Sequence, residues 1–135
     1  MSFEILGHTA DIKLRVTASD KKSLFEEAML GMMKILAESP QYLAKEIIEI
    51  VEIDSKNLSS LLVDFLSQVL AYSDIDKAVF YKINFLDFND THLKAEIKGK
   101  QIKSFDKEIK GVTHYLHHID QDEQGLLYTE LVFDI

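Results

Sequence analysis

Two long apolar stripes with helical spacing, set among segments that alternate with period two, restrict this chain to folds that combine helices with a sheet. The first stripe predicts a helix over residues 21–38, which stops before Pro40. The second predicts a helix that follows a cap at Asp54 or Ser55 and ends near Ser73. Both stripes repeat at i, i+3, i+4 and i+7: Leu24, Phe25, Ala28, Met29, Met32, Ile35 and Leu36 in the first, and Leu58, Leu61, Leu62, Phe65, Leu66, Val69 and Leu70 in the second.

The other regular segments have the pattern of β-strands. Asn89 and Asp90 form a turn signal between two of them, which predicts a hairpin. The predicted class is therefore α+β: a two-layer sandwich in which a mixed β-sheet carries the two amphipathic helices on one face. We expect strands at residues 3–6, 12–16, 47–53, 78–88, 92–98, 108–119 and 126–133.

Composition favours a single cytoplasmic domain over residues 1–135. The length fits one domain, and one proline and five glycines leave no linker-like tract. The absence of cysteine excludes disulfides, thiolate zinc sites and cysteine nucleophiles, and it suits a reducing cytosol. No apolar run approaches the roughly 18 residues of a membrane span. The N-terminus also lacks the basic and apolar stretches of a secretory signal.

The acidic balance bears on the choice of partner. The chain has 23 acidic and 15 basic residues, which gives a formal net charge of −8. Proteins that hold nucleic acid by themselves need a basic surface, because neutralised phosphates supply most of the affinity. Cations or a basic protein are therefore better partners for this chain than free RNA.

Candidate metal ligands stand near both ends of the sequence. Asp11 precedes a predicted strand, and Asp134 is followed by Ile135 with its α-carboxylate. Carboxylate oxygens are the preferred ligands of Mg²⁺, Ca²⁺ and Mn²⁺ when two or three converge. Solvated residues at strand ends are the plainer interpretation, and nothing local in the sequence brings positions 11 and 134 together.

Histidines offer weaker signals. On one strand, His114 and His118 would share a face while His117 takes the other. The two histidines that share a face would then form either a weak metal-binding site or ordinary strand surface. His8 and Thr9 form either a hydrogen-bonded loop that orients the following aspartate or a plain turn.

Lys110 is the remaining candidate. It lies in an apolar-alternating segment between Ile109 and Val112. There it either pairs with acids or a phosphate, or it is an exposed lysine on the solvent face. Phosphate-binding glycine loops and GxSxG nucleophile motifs are absent from the sequence.

Several segments, taken in order, resemble the archease family. The sequence departs from the family's common pattern in three ways. Lys13 stands where glycine is frequent, His114 and Tyr115 occur in exchanged order, and residues 100–107 lack the histidine expected upstream of EIK. The segments that carry the resemblance are HTADI at 8–12, LLVDFL at 61–66, EIKGVT at 108–113 and VFDI at 132–135.

The resemblance implies an archease-like fold and a non-catalytic role. Archeases assist RtcB-type RNA ligases in tRNA splicing and RNA repair, by promoting guanylylation and multiple turnover. The family pattern implies a metal site at Asp11, Asp134 and Ile135, with Ca²⁺, Mg²⁺ or Mn²⁺ as cofactor. It implies an activating role for Lys110, and contact with RNA and GTP only through the ligase.

Two other functions are compatible with the same residues. One is a self-sufficient divalent-metal-dependent hydrolase that uses Asp11, Asp134 and a histidine from residues 114–118. The other is a metal-independent, chaperone-like scaffold that acts through an apolar patch.

Overall fold

The structure, a computed structural model of the chain, describes residues 1–7, 11–115 and 118–135. Helices and strands alternate in its first half, and strands alone make up its second half. In chain order the described elements are β1 (Ser2–Gly7), β2 (Asp11–Ala18), α1 (Lys21–Leu36), β3 (Tyr42–Asp54), α2 (Leu58–Asp76), β4 (Ala78–Phe88), β5 (His92–Ile102), β6 (Gly111–His114), β7 (Asp120–Gln121) and β8 (Leu127–Asp134). The predicted α+β class is confirmed.

Each helix begins at a side-chain cap. The carboxylate of Asp20 accepts a hydrogen bond from the Ser23 amide at the start of α1, at 2.8 Å. Asn57 caps α2 in the same way by accepting from the Ser60 amide, also at 2.8 Å. The prediction of Asp54 or Ser55 as the second cap is wrong, because β3 continues to Asp54.

The helices pack against both sheets. The Phe25 ring of α1 lies 5.7 Å from that of Phe65 in α2 and 5.1 Å from that of Phe88 in β4. Helix α1 contacts β1, β2, β4 and β8, whereas α2 contacts β3, β4, β5 and β6. The apolar stripes are thus buried in one hydrophobic core. Neither helix in the described parts of the chain is long and apolar enough to cross a membrane.

The larger sheet has five strands in the order β1-β2-β8-β6, with β7 also paired to β8. Every described pairing in it is antiparallel. Strands β2 and β8 alternate strictly, so Ile12, Leu14, Leu131 and Phe133 are buried against the helices. The opposite, outer face therefore carries Asp11, Lys13 and Arg15 from β2, and Glu130, Val132 and Asp134 from β8.

The smaller sheet has the order β3-β5-β4, again with antiparallel pairing. The strands thus divide between two antiparallel sheets, where the sequence predicted one mixed sheet. Gly99 lies where β4 and β5 come very close: a Cβ there would meet the carbonyl oxygen of Val79 at 2.0 Å. Glycine is therefore required at this position, as it is wherever two backbones approach this closely.

The segment predicted as one strand over 108–119 differs most from expectation. Its strand, β6, covers only Gly111–His114, and a two-residue strand, β7, follows at Asp120–Gln121. Residues 103–110 instead form a loop. The amides of Asp106 and Lys107 in that loop bond to the carbonyl of Leu36, which ends α1.

Candidate metal centre

The fold brings the two candidate aspartates together. Asp11, the first residue of β2, is the register partner of Asp134, the last residue of β8. Residues directly opposite on antiparallel strands project to the same side, with Cβ atoms about 5 Å apart. Asp11 is half-buried and Asp134 is exposed. Two carboxylates from opposite ends of the sequence therefore stand side by side at one end of the outer face.

The acidic pair, Asp11 and Asp134, has no counter-ion among the residues that the structure describes. Within the described residues, neither carboxylate takes part in an ion pair or accepts a hydrogen bond to its side chain. Like charges directly opposite each other destabilise a sheet. A cation bound between them would remove that repulsion, and carboxylate oxygens suit hard divalent ions.

Ile135 and Lys110 adjoin the pair through the backbone. The side chain of Ile135 packs at the margin of the core, directly after Asp134. The Lys110 amide donates to the Asp134 carbonyl oxygen at 2.6 Å, and Gly111 is the register partner of Asp134 on β6. The Lys110 side chain is exposed, and the residue lies in the loop before β6, not in a strand as predicted.

Lys110 also borders a cavity of about 590 Å³ between α2 and the 103–110 loop. Its apolar wall includes Leu70, Phe105 and Ile109, and Lys107 lines it as well. Asp11 and Asp134 do not line this cavity, since they face the outer side of the sheet. Lys110 therefore lies between two distinct surfaces: the end of the outer face that carries the acidic pair, and the cavity beside α2.

The predicted histidine arrangement is not observed. His114 ends β6 opposite the buried Leu131, so it faces the helices and not the acidic pair. Its Nε2 lies 2.6 Å from the Ser59 carbonyl oxygen, and its Nδ1 lies 3.3 Å from the Thr129 hydroxyl. His118 lies beyond the strand, with Nε2 at 2.8 Å from the Asp120 carboxylate.

Three of the predicted positions, His8, Thr9 and His117, lie outside the described residues. The proposed orientation of Asp11 by His8 and Thr9 therefore stays a prediction. Among the residues that the structure describes, no three histidine, aspartate or glutamate side chains gather closely enough to hold a metal. A cation at the acidic pair would thus need a main-chain carboxylate, water or a partner group to complete its ligands.

Sequence reasoning missed a charged cluster next to the acidic pair. The Lys13 ammonium lies 3.5 Å from the centre of the Tyr115 ring and 3.7 Å from a Glu130 carboxylate oxygen. Lys13 and Tyr115 both belong to departures from the common family pattern, and here the two side chains are in contact. The three residues are far apart in sequence. They meet because β8 pairs with β2 on one side and with β6 on the other.

Comparison with known proteins identifies the family of the chain. Residues 3–135 match the family model described as Archease protein family (MTH1598/TM1083). The chain belongs to the archease family. The protein archease of Methanosarcina acetivorans is 30% identical over 131 residues, covering 91% of this chain and 89% of that protein. The protein archease of Methanothermobacter thermautotrophicus is 31% identical over 139 residues, with 98% of each chain covered.

Solved structures show the same fold. The solution structure of protein 1598 from Methanobacterium thermoautotrophicum superposes with a TM-score of 0.70 at 24% identity, covering 99% of each chain. The crystal structure of an archease from Thermotoga maritima, titled a possible chaperone, gives a TM-score of 0.71 at 18% identity. It covers 98% of this chain and 96% of that one. The archease-like α+β fold is therefore established for this chain.

Proposed function

We propose that this chain is a non-catalytic activator of an RtcB-type RNA ligase in tRNA splicing or RNA repair. It would act through a divalent cation, Ca²⁺, Mg²⁺ or Mn²⁺, held by Asp11, Asp134 and the carboxylate of Ile135. The observation that carries the proposal is the register of β2 and β8, which sets Asp11 directly opposite Asp134. Membership of the archease family supplies the expected partner.

The donor set suits such a role chemically. Two aspartates without a counter-ion in the described part of the chain are an all-oxygen, strongly negative donor set, which hard cations prefer. Two side chains cannot fill the six or more positions around these ions, so positions remain for water or for a group of the ligase. A protein that presents a partly coordinated cation at the exposed end of a sheet can deliver that cation to a partner without catalysing a reaction itself.

Lys110 is placed to contact the same partner. Its amide is fixed to Asp134, while its exposed ammonium forms no ion pair within the described parts of the chain. A lysine in this position can contact a nucleotide phosphate bound to the ligase, or balance the charge of the ligase-bound complex. Guanosine triphosphate and RNA would thus be reached through the ligase only.

The deciding experiment is a multiple-turnover RNA ligation assay with the cognate RtcB-type ligase and a divalent cation. The wild-type chain should increase turnover and the formation of the guanylylated ligase. Asp11→Ala and Lys110→Ala should each abolish the stimulation while circular dichroism shows an unchanged fold. Lys107→Ala and Glu123→Ala are the matched controls, since both residues are exposed and neither belongs to a strand that pairs with Asp134, and they should stimulate normally.

Two results would count against the proposal. The first is full stimulation by both Asp11→Ala and Lys110→Ala. The second is turnover of nucleotide or phosphate ester by the chain alone that a chelator abolishes, which would favour the hydrolase instead. Of the histidines open to the hydrolase, His114 faces away from Asp11 and Asp134, and His117 lies outside the described residues.

A chaperone-like scaffold is the second candidate. The smaller sheet exposes Ile48 and Ile50 on β3, with 52% and 44% of their surface accessible. Strand β3 is also an edge strand of that sheet, and exposed apolar edges bind other chains readily. This candidate predicts cation-independent suppression of a client protein's aggregation that Ile48→Lys removes and Asp11→Ala does not.

A further inference from the structure

Lys13 occupies a position from which it can reach either of two acidic groups. Its register partner on β8 is Val132, so Glu130 and Asp134 are its two diagonal neighbours, each two residues along. Asp11 lies two residues before Lys13 on the same face of β2. Diagonal neighbours on adjacent strands are within reach of a long side chain. A lysine here can therefore neutralise the acidic pair or turn away from it.

The structure shows Lys13 turned away. Its ammonium lies 3.7 Å from Glu130, and it makes no ion pair with Asp11 or Asp134. Glu130 already has a second cation, because Arg15 approaches it at 3.5 Å. Charge balance alone would instead place Lys13 beside the acidic pair. Within the described structure Glu130 has two cationic neighbours, whereas Asp11 and Asp134 have none.

The aromatic ring of Tyr115 accounts for this choice. The Lys13 ammonium stands 3.5 Å from the ring centroid, within the distance at which a cation is attracted to the face of an aromatic ring. The Tyr115 amide also donates to the Glu130 carbonyl oxygen at 2.9 Å, which ties the ring to this part of β8. The Lys13 and Glu130 side chains are only 17% and 14% exposed, so water screens their attraction less than at an open surface.

We propose that Tyr115 and Glu130 hold the Lys13 ammonium away from Asp11 and Asp134, so that the acidic pair stays open to an external cation. Lys13 is then a positioning element: the same charge would compete with a metal ion if the ring or Glu130 released it. This inference rests on the proposed function in one respect: a divalent cation is the ligand expected between Asp11 and Asp134.

The first test measures Mn²⁺ binding by isothermal titration calorimetry at low ionic strength. Tyr115→Leu removes the ring without changing the net charge, and Tyr115 is half exposed, so the fold should tolerate it. The variant should bind Mn²⁺ about threefold more weakly, the factor typical of one competing ion pair. Adding Lys13→Met to Tyr115→Leu should restore binding, because the competing charge is then gone.

Matched controls separate this effect from general electrostatics. Tyr115→Phe keeps the ring and should bind Mn²⁺ like the wild type. Arg15→Gln removes an ion pair to the same Glu130 without freeing Lys13, and it should not weaken binding. Wild-type affinity in Tyr115→Leu would overturn the proposal, as would weakened binding that Lys13→Met fails to restore.

A second test needs no metal. The coupling between Lys13→Met and Asp134→Asn is measured by urea unfolding in chelator, in the wild-type background and in the Tyr115→Leu background. We expect independent effects in the first background and a coupling of about threefold in the unfolding constant in the second. Equal coupling in both backgrounds would overturn the proposal. If the wild type binds no Mn²⁺ at all, the cation part of the proposed function fails, and this cycle still decides the position of Lys13.

Discussion

Glutamine in place of Glu49 should make the protein more stable above neutral pH. Glu49 of β3 and Asp76, the last residue of α2, form a pair of facing acids. The pKa of Glu49 is raised to about 7, first by its hydrogen bond to Asp76, then by burial and by repulsion from Asp76. Asp76 Oδ2 is buried and has no hydrogen-bond donor among the described residues, so a proton on Glu49 would supply one. The negative end of the α2 dipole also disfavours charge there.

The sign and size of the effect follow from that pKa. The unfolded chain has the ordinary Glu value of 4.5, so between pH 4.5 and 7 the folded state holds a proton that the unfolded state lacks. The free energy of unfolding therefore falls as the pH rises through this interval. The full shift corresponds to at most roughly 3 kcal/mol. Because the side chain is only partly buried, solvent screening reduces the expected loss to about 1 kcal/mol.

Urea unfolding of the wild type and Glu49→Gln at pH 5 and pH 8 tests this. Glutamine donates a hydrogen bond to Asp76 at every pH, so the variants should differ little at pH 5. At pH 8 the variant should be more stable by about 1 kcal/mol, or about 4 °C in Tm. Glu46→Gln on the same strand is the control: it removes only the exposed pair with Lys98, at 3.4 Å, and should gain nothing at pH 8. A Glu49→Gln variant that loses stability at both pH values would refute the reasoning.

Three further predictions concern other parts of the fold. Asp11→Asn should raise stability by up to about 1 kcal/mol in chelator, because it removes a facing like charge, and it should abolish any rise in Tm on adding Mn²⁺ in thermal scans. Asn57→Ala should cost about 1 kcal/mol in urea unfolding, because it removes the cap of α2. The pKa of His92 is raised above 6.5, first by its hydrogen bond to Asp54, so its NMR titration midpoint should lie above 6.5 and fall in Asp54→Asn. The stability that His92 contributes should be complete below its unfolded pKa and lost as the pH rises through the folded one.

Local patterns in the sequence predicted the helices and most strands. Leu24 to Leu36 repeats at helical spacing, and α1 ends at Leu36, before Pro40, as expected. The cap of α2 was misplaced because Asp54 is held in β3 by its pairing with His92 on β5. Such pairing between distant segments overrides a local preference for capping and leaves no mark in the flanking sequence.

The candidate site could be predicted only in part for the same reason. Asp11 and Asp134 were predicted as metal ligands because carboxylate oxygens bind hard cations. Their closeness in space depends on the pairing of β2 with β8, which the sequence does not show. The position of Lys13 depends on Tyr115 and Glu130, which lie more than a hundred residues later in the chain. Contacts of this kind are set by strand register, which hydrophobic alternation constrains to one face but does not assign to a partner.

The antiparallel register of β2 and β8 limits how this family can vary in sequence. Because successive strand residues point to opposite faces, inserting or deleting one residue between Leu131 and Phe133 would turn Asp134 toward the helices. The same change would move Phe133 out of the core, so selection acts against it twice. Insertions and deletions should therefore occur in turns such as residues 122–126, whereas the last strand should vary by substitution alone.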